Sequence, residues 1–244
     1  MKTLLTLLFL LIFFIISIPL FLVVIIIGKI NPRSKVRTSQ AIVVTAFRII
    51  LFLCGIKKTV IGVENIPKEE AVLYVSNHRS YFDILIGYTS VPNLTGYVAK
   101  KEMSGIPFIS WWMRFLNCLF LDRDNIREGL KTILEGVELI KNGYSVFIAP
   151  EGTRNQENDM LPFKEGSLKM AEKTGCAIIP VSISNTDNIF ENHIPWIRRA
   201  HVIIEFGKPV YPGELNKENR KFIGSYVQGI IRETLNKNAS LVKF

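Results

Sequence analysis

From Leu4 to Ile27 the chain carries no charged residue, and no other feature limits its possible folds as much. A helix rises about 1.5 Å per residue, so this run is long enough to cross the roughly 30 Å hydrocarbon core of a bilayer. It exceeds the apolar stretch of a secretory signal, about 7–15 residues, and no small-x-small cleavage site follows it. A retained membrane segment is expected. The charges agree: residues 1–58 hold eight basic residues (Lys2, Lys29, Arg33, Lys35, Arg37, Arg48, Lys57, Lys58) and no acid, which leaves the rest of a chain of net charge +9 close to neutral. A nucleic-acid binder carries its positive charge on the folded domain. Here it flanks the apolar run, where it suits an anionic lipid surface. The expected partner is a lipid bilayer and not nucleic acid. Lys29, Arg33, Lys35 and Arg37 follow the run and only Lys2 precedes it, so the domain is expected on the cytoplasmic side.

A second apolar stretch, Ala41 to Ile56, is shorter and has Arg48 at its middle. It fits an interfacial amphipathic helix, the second arm of a hairpin buried in one leaflet, or the first core helix of the domain. The basic region Asn31–Gln40 reads as a connector. Beyond Lys58, short apolar runs alternate with longer periodic ones. Ala71–Ser76, Thr95–Ala99, Cys118–Leu121, Ser145–Ala149, Ala177–Ile183 and His201–Phe206 read as strands, several too apolar for a sheet with one wet face. Ile126 to Ile140, Leu168 to Thr174 and Glu214 to Asn236 read as helices. The alternation predicts an α/β fold with a mixed, largely parallel central sheet flanked by helices, behind an N-terminal membrane-embedded helical segment. The division is a membrane anchor over residues 1–58, of one or two apolar helices with basic flanks, and an α/β domain over 59–244.

Cys54, Cys118 and Cys176 are isolated in apolar surroundings, without CxxC, and the three histidines form no HExxH. Neither a disulfide framework nor a metal site is expected. The polar clusters are more telling, because each follows directly on a strand: Asn77-His78 after AVLYVS, Lys100-Lys101-Glu102 after TGYVA, Asp122-Arg123 after CLFL, and Pro150 to Arg154 after SVFIA. Ligands of open α/β sheets bind outside the carboxyl ends of the strands, so parallel strands would gather these groups on one rim.

In "YVSNHRSYFDIL" His78 and Asp83 are five apart, which on a regular helix places them on different faces. They meet only if the helix begins between them. Ser80 fits as its cap, with Asp83 completing an S-x-x-D capping box, and Asp83 in the first turn then reaches the imidazole. The plainer alternative is that Asp83 only caps and His78 only closes a turn. A His–Asp pair without a neighbouring Ser or Cys nucleophile suits a general base acting on a substrate hydroxyl. There is no GxSxG, GxGxxG or GxxxxGK[ST]. The loop Glu151-Gly152-Thr153-Arg154 has the backbone freedom, hydroxyl and guanidinium fork of a phosphate site, or is a surface turn with an Arg–Glu pair. Arg123, between Asp122 and Asp124, suits a structural ion pair as well as a ligand contact. Lys164 reads as a solvated cation. Trp111, Trp112 and Trp196 suit a bilayer interface, with packing inside the domain the commoner outcome for Trp111 and Trp112.

Taken together and in order, these blocks resemble the glycerophospholipid acyltransferase family, specifically its 1-acyl-glycerol-3-phosphate acyltransferases. N-H-x-x-x-x-D matches Asn77, His78 and Asp83. "LFLDRDN" supplies Arg123, and "APEGTR" matches F-P-E-G-T-R, with Ala149 where phenylalanine is common. "AIIPVSI" matches an apolar run centred on Pro180, and "LPFKEGS" looks like the family's F-K-x-G segment. The resemblance covers roughly residues 60–210.

It implies that His78 deprotonates the 2-hydroxyl of lysophosphatidic acid while Asp83 orients His78. The oxygen then attacks the thioester of acyl-CoA or acyl carrier protein, a co-substrate, giving phosphatidic acid without a cofactor. The resemblance assigns acceptor binding to Arg123, Glu151, Gly152, Thr153 and Arg154, with Lys101 and Lys164 near the same anion; Asn77 and Arg79, beside His78, join the binding residues. The competing readings are an acyltransferase or transacylase that takes another lysophospholipid, and a membrane-tethered lipid-binding protein without turnover.

Overall fold

The computed structural model describes residues 1–155, 157 and 159–242. It opens with two helices, α1 (Lys2–Ile30) and α2 (Pro32–Cys54), broken only at Asn31, whose extended backbone turns the chain while its side chain accepts the Ser34 N–H at 2.9 Å. Pro32 occupies the first helical position, where a missing N–H costs nothing. Asn31–Gln40 is therefore not a connector: Asn31 is the whole turn, and the basic stretch winds into helix because Val36, Ser39, Gln40 and Val43 form a buried stripe along it. The helices run antiparallel. Lys2 Nζ donates to the Cys54 carbonyl at 2.7 Å, and Thr6 Oγ1 meets Cys54 Sγ at 3.6 Å. Both are long and apolar enough to cross a membrane, with mean hydropathy 3.4 and 1.6.

The second apolar stretch packs against the first as the other arm of a hairpin and is at the same time a core helix of the domain. Val43, Ile50, Leu51 and Cys54 are buried in the same apolar cluster as the sheet residues Tyr74, Ile179 and Val202. Midway along α1, Phe13 and Phe21 pack on Trp112, and the Trp112 indole N–H donates to Ser17 Oγ at 2.9 Å. Trp112 is buried and Trp111 half-exposed against Phe21.

The rest of the chain alternates as expected: β1 (Lys57–Ile61), β2 (Leu73–Ser76), α3 (Phe82–Tyr88), β3 (Thr95–Lys100), α4 (Ile109–Phe115), β4 (Leu119–Leu121), α5 (Ile126–Lys141), β5 (Ser145–Ile148), α6 (Lys169–Thr174), β6 (Ile178–Ser184), β7 (His201–Phe206), α7 (Lys217–Lys221) and α8 (Ile223–Ala239). The strands form one sheet in the order β1-β7-β6-β2-β5-β3-β4. All neighbouring pairs are parallel except β6 with β7, so β7 and β1 run against the other five. That puts the carboxyl ends of β2, β3, β4, β5 and β6, and the start of β7, on one rim. Pro180 is tolerated inside β6 because the pairing with β7 covers only Val181 to Ser184. The hairpin and α3 cover one face of the sheet; α5, α6 and α8 cover the other.

Three further elements depart from the sequence reading. β1 is an edge strand whose two lysines hid it. α4 forms where no helix was expected. The single helix over Glu214–Asn236 is two, α7 and α8, broken at Phe222 (φ −119°, ψ 46°). Where α3 lies on the sheet it is seated tightly. It crosses Tyr97 at Gly87, where a Cβ would lie 2.0 Å from the Tyr97 hydroxyl.

Candidate active site

β2 ends at Ser76 on the rim, and the next residues are held by bonds that leave them little freedom. Asn77 is buried, and its amide spans Ile183 of β6: Nδ2 donates to the Ile183 carbonyl and Oδ1 accepts the Ile183 N–H, both at 2.9 Å. The His78 N–H donates to Glu151 Oε1 at 2.8 Å, and the His78 carbonyl accepts the Asn155 N–H at 2.8 Å. His78 thus sits with its backbone clamped on both sides before α3 begins.

The cap of α3 does double duty. Ser80 Oγ accepts the Phe82 N–H at 3.0 Å, and Asp83 Oδ2 accepts the N–H groups of Ser80 (2.9 Å) and Arg79 (2.8 Å). The same Oδ2 accepts from His78 Nδ1 at 2.9 Å. Asp83 both caps and orients, so the two readings of "NHRSYFD" were not alternatives. Its other oxygen, Oδ1, accepts the Thr186 hydroxyl. Because an ionised carboxylate can only accept, the Nδ1 proton faces Asp83 and the Nε2 lone pair is left outward. Asp83 is buried, the His78 side chain is 21% exposed, and among the described residues nothing bonds Nε2.

A second buried carboxylate, Glu191, supports the same turn. It accepts the Ser80 hydroxyl at 2.7 Å and the Tyr81 N–H at 2.8 Å, and lies 3.5 Å from Arg154 Nη1. The Arg154 guanidinium stacks 3.6 Å over the Tyr81 ring. Arg79 Nε and Nη2 donate to Asp187, and its Nη1 donates to the Glu157 carbonyl. Thr186, Asp187 and Glu191 all belong to the connection after β6. No motif in the sequence pointed to them.

Beside this turn opens a cleft of about 650 Å³ at the ends of β3, β4 and β5. Lys100, Lys101, Arg123 and Lys164 line it, together with Gly152, Thr153 and the acids Glu102, Asp122, Asp124 and Glu151. Gly152 has φ +78°, and a Cβ there would meet Lys164 Nζ at 3.1 Å and Arg123 Cζ at 3.8 Å. The glycine is required by its backbone angle, and it lets two cations close over the loop. Lys101 donates to Asp122 at 2.7 Å, a bond that raises the lysine and lowers the carboxyl from their ordinary values. Burial pushes the Arg123 guanidinium below its ordinary value, while Glu102 and Asp124 act the other way. Arg123 Nε is buried and, among the described residues, has no hydrogen-bond partner. A buried donor left unmade costs roughly 1–3 kcal/mol.

The expected site residues thus divide. His78 and Asp83 form one unit. Arg123, Gly152, Thr153, Lys101 and Lys164 surround the cleft. Glu151 joins the two: it lines the cleft, but its carboxylate is taken by His78 N–H, Asn155 Nδ2 and Leu161 N–H, so it positions the loops. Asn77, Arg79 and Arg154 are on the rim but engaged with Ile183, with Asp187 and with Glu191 and Tyr81, outside the cleft lining.

A family model described as Acyltransferase matches residues 57–184. A 1-acyl-sn-glycerol-3-phosphate acyltransferase of Borreliella burgdorferi is 33% identical over 214 residues, covering 85% of this chain and 81% of that protein. A protein of the same description from Saccharomyces cerevisiae is 30% identical over 188 residues, 75% of this chain and 60% of the yeast protein. The crystal structure of the LPA acyltransferase PlsC from Thermotoga maritima is similar with TM-score 0.78, at 26% identity and 97% coverage of both chains. Its likeness extends over the helical hairpin as well as the sheet, and the family model covers the His78–Asp83 turn, the Arg123 strand end and the Glu151 loop. The chain belongs to the acyltransferase family, with the 1-acyl-sn-glycerol-3-phosphate acyltransferases as its relatives.

Proposed function

We propose that this chain transfers an acyl group from a thioester, acyl-CoA or acyl carrier protein, to the 2-hydroxyl of 1-acyl-glycerol-3-phosphate, giving phosphatidic acid. The relatives' names supply the acceptor, and the observation that carries the chemistry is the open Nε2 of His78 beside a cationic cleft with an unpartnered Arg123 donor. His78 Nε2 takes the proton from the acceptor hydroxyl as its oxygen attacks the thioester carbonyl. The tetrahedral intermediate collapses with loss of the C–S bond, and the imidazolium returns the proton to the departing thiolate. Asp83 holds the ring in the required tautomer and faces the imidazolium when it forms. Arg123, Lys101 and Lys164, with Gly152 and Thr153, receive the phosphate monoester; Glu151 and Asn77 hold the loops that carry them, and Arg79 and Arg154 brace the turn through Asp187 and Glu191. No cofactor enters this reaction.

The apolar hairpin lies in one leaflet on this reading. It packs along the domain from Thr3 at one end, through Trp112, to Arg33 over Tyr144 at the other, which suits an arm sunk sideways into lipid better than one leaving the domain to cross it. The anchor over residues 1–58 and the catalytic domain over 59–244 then face the cytoplasm from the same leaflet, a side that the basic flanks favour.

Purified protein given lysophosphatidic acid with each thioester donor, and analysed for product mass, tests the proposal. Phosphatidic acid is expected, and His78→Ala should lower turnover by about 10²–10⁴-fold. Acylation of another lysolipid but not of lysophosphatidic acid would refute the acceptor.

A further inference from the structure

The connection between β6 and β7 has two halves. Its first half supports the reacting groups through Thr186 and Glu191. Its second half, Ile194 to Arg199, leaves Ile194 and Trp196 62% and 63% exposed. The segment is fastened to the open end of the hairpin: the Ile197 N–H donates to Thr3 Oγ1 at 2.9 Å, and the Lys57 N–H to the Ala200 carbonyl at 3.0 Å. Leu4 and Phe52, at that end, are 71% and 82% exposed. Lys57, Arg198 and Arg199 surround this apolar tip, all exposed, and none has an ion-pair partner among the described residues.

An apolar and indole-bearing tip ringed by unpaired cations, continuous with the exposed apolar hairpin, complements the surface of an anionic bilayer. We propose that Ile194–Arg199 is a second bilayer contact, with Trp196 and Ile194 at the interface and Arg198 and Arg199 on lipid phosphates. Because β7 is reversed, this contact lies on the same rim as His78, so it turns the reacting groups toward the surface from which a lysolipid arrives. The proposal rests on the bilayer reading of the hairpin and adds to it the orientation of the active rim.

The test uses the full chain on vesicles of phosphatidylglycerol and phosphatidylcholine carrying brominated acyl chains, compared with detergent micelles. Wild-type fluorescence should be quenched by more than that of Trp196→Phe, the difference reporting Trp196 alone. Arg198→Glu with Arg199→Glu should lower the ratio of vesicle-borne to micelle-borne turnover about tenfold or more, and less so at high salt. Equal quenching in wild type and Trp196→Phe, or an unchanged ratio in the arginine variant, overturns the contact. Absence of any vesicle association overturns the bilayer reading and the contact together. Quenching without turnover on any lysolipid leaves the contact standing and refutes the acyl-transfer reading.

Discussion

Asp83 accepts from His78, Arg79 and Ser80 through one oxygen and from Thr186 through the other, so its position is over-determined from two distant parts of the chain. Thr186 touches no proposed substrate group. Among the described residues its hydroxyl bonds only Asp83, the carboxylate that holds the imidazole. A hydrogen bond to a charged group contributes roughly 1.5–3 kcal/mol; Thr186→Val is therefore expected to lower kcat about tenfold with KM nearly unchanged, and Thr186→Ser to restore most of it, as steady-state kinetics on lysophosphatidic acid would show. At this scale the sequence was informative where neighbours in the chain are neighbours in space. His78, Ser80 and Asp83 are read from one turn of helix with a cap. Thr186 and Glu191 lie over 100 residues further on, in a connection with no periodicity and no motif. Arg154 was legible as a cation but not as the partner of Glu191, because an arginine's reach leaves its direction open.

Elements were legible in proportion to their burial. β2, β5 and β6 are apolar along their whole length, as strands buried on both faces must be. β1, with Lys57 and Lys58 in five residues, offers no such run. Lys58 repays its cost in polarity by tying two elements: its ammonium donates to the Thr89 carbonyl, the Thr89 hydroxyl and the Ser90 hydroxyl at 2.8–2.9 Å, joining β1 to the end of α3. Burial, with Arg48 nearby, lowers its pKa from 10.5 to about 8. The unfolded chain then holds the extra proton between about pH 8 and 10.5, so this residue's contribution to stability rises with pH across that window. Urea midpoints measured from pH 7 to 10 should rise less steeply in Lys58→Met than in wild type. The basic start of α2 was misread for a related reason: its charges mask the helical pattern, and only the buried stripe of Val36, Gln40 and Val43 reveals the helix.

For the whole molecule, anchor and domain share a single apolar cluster, in which Val24, Val43 and Cys54 meet Tyr74, Phe147 and Phe206. Deleting residues 1–56 would uncover Tyr88, which packs on Phe47, and Trp112, which packs on Phe13 and Phe21, at a cost of about 25 cal/mol for each Å² of apolar surface exposed. The truncated chain is expected to aggregate instead of yielding a soluble enzyme, and size-exclusion chromatography would reveal it. That sharing was not visible in the sequence, where charge and hydropathy draw a line near residue 58 that packing ignores. Gly87 shows how far such sharing reaches. It lies one turn beyond Asp83 on the same helical face, pressed on the floor of the sheet through Tyr97, so the floor acts as a gauge for the separation of carboxylate and imidazole. A single methyl there (Gly87→Ala) would lift the helix like a shim, slowing acyl transfer while every reacting group remained chemically intact.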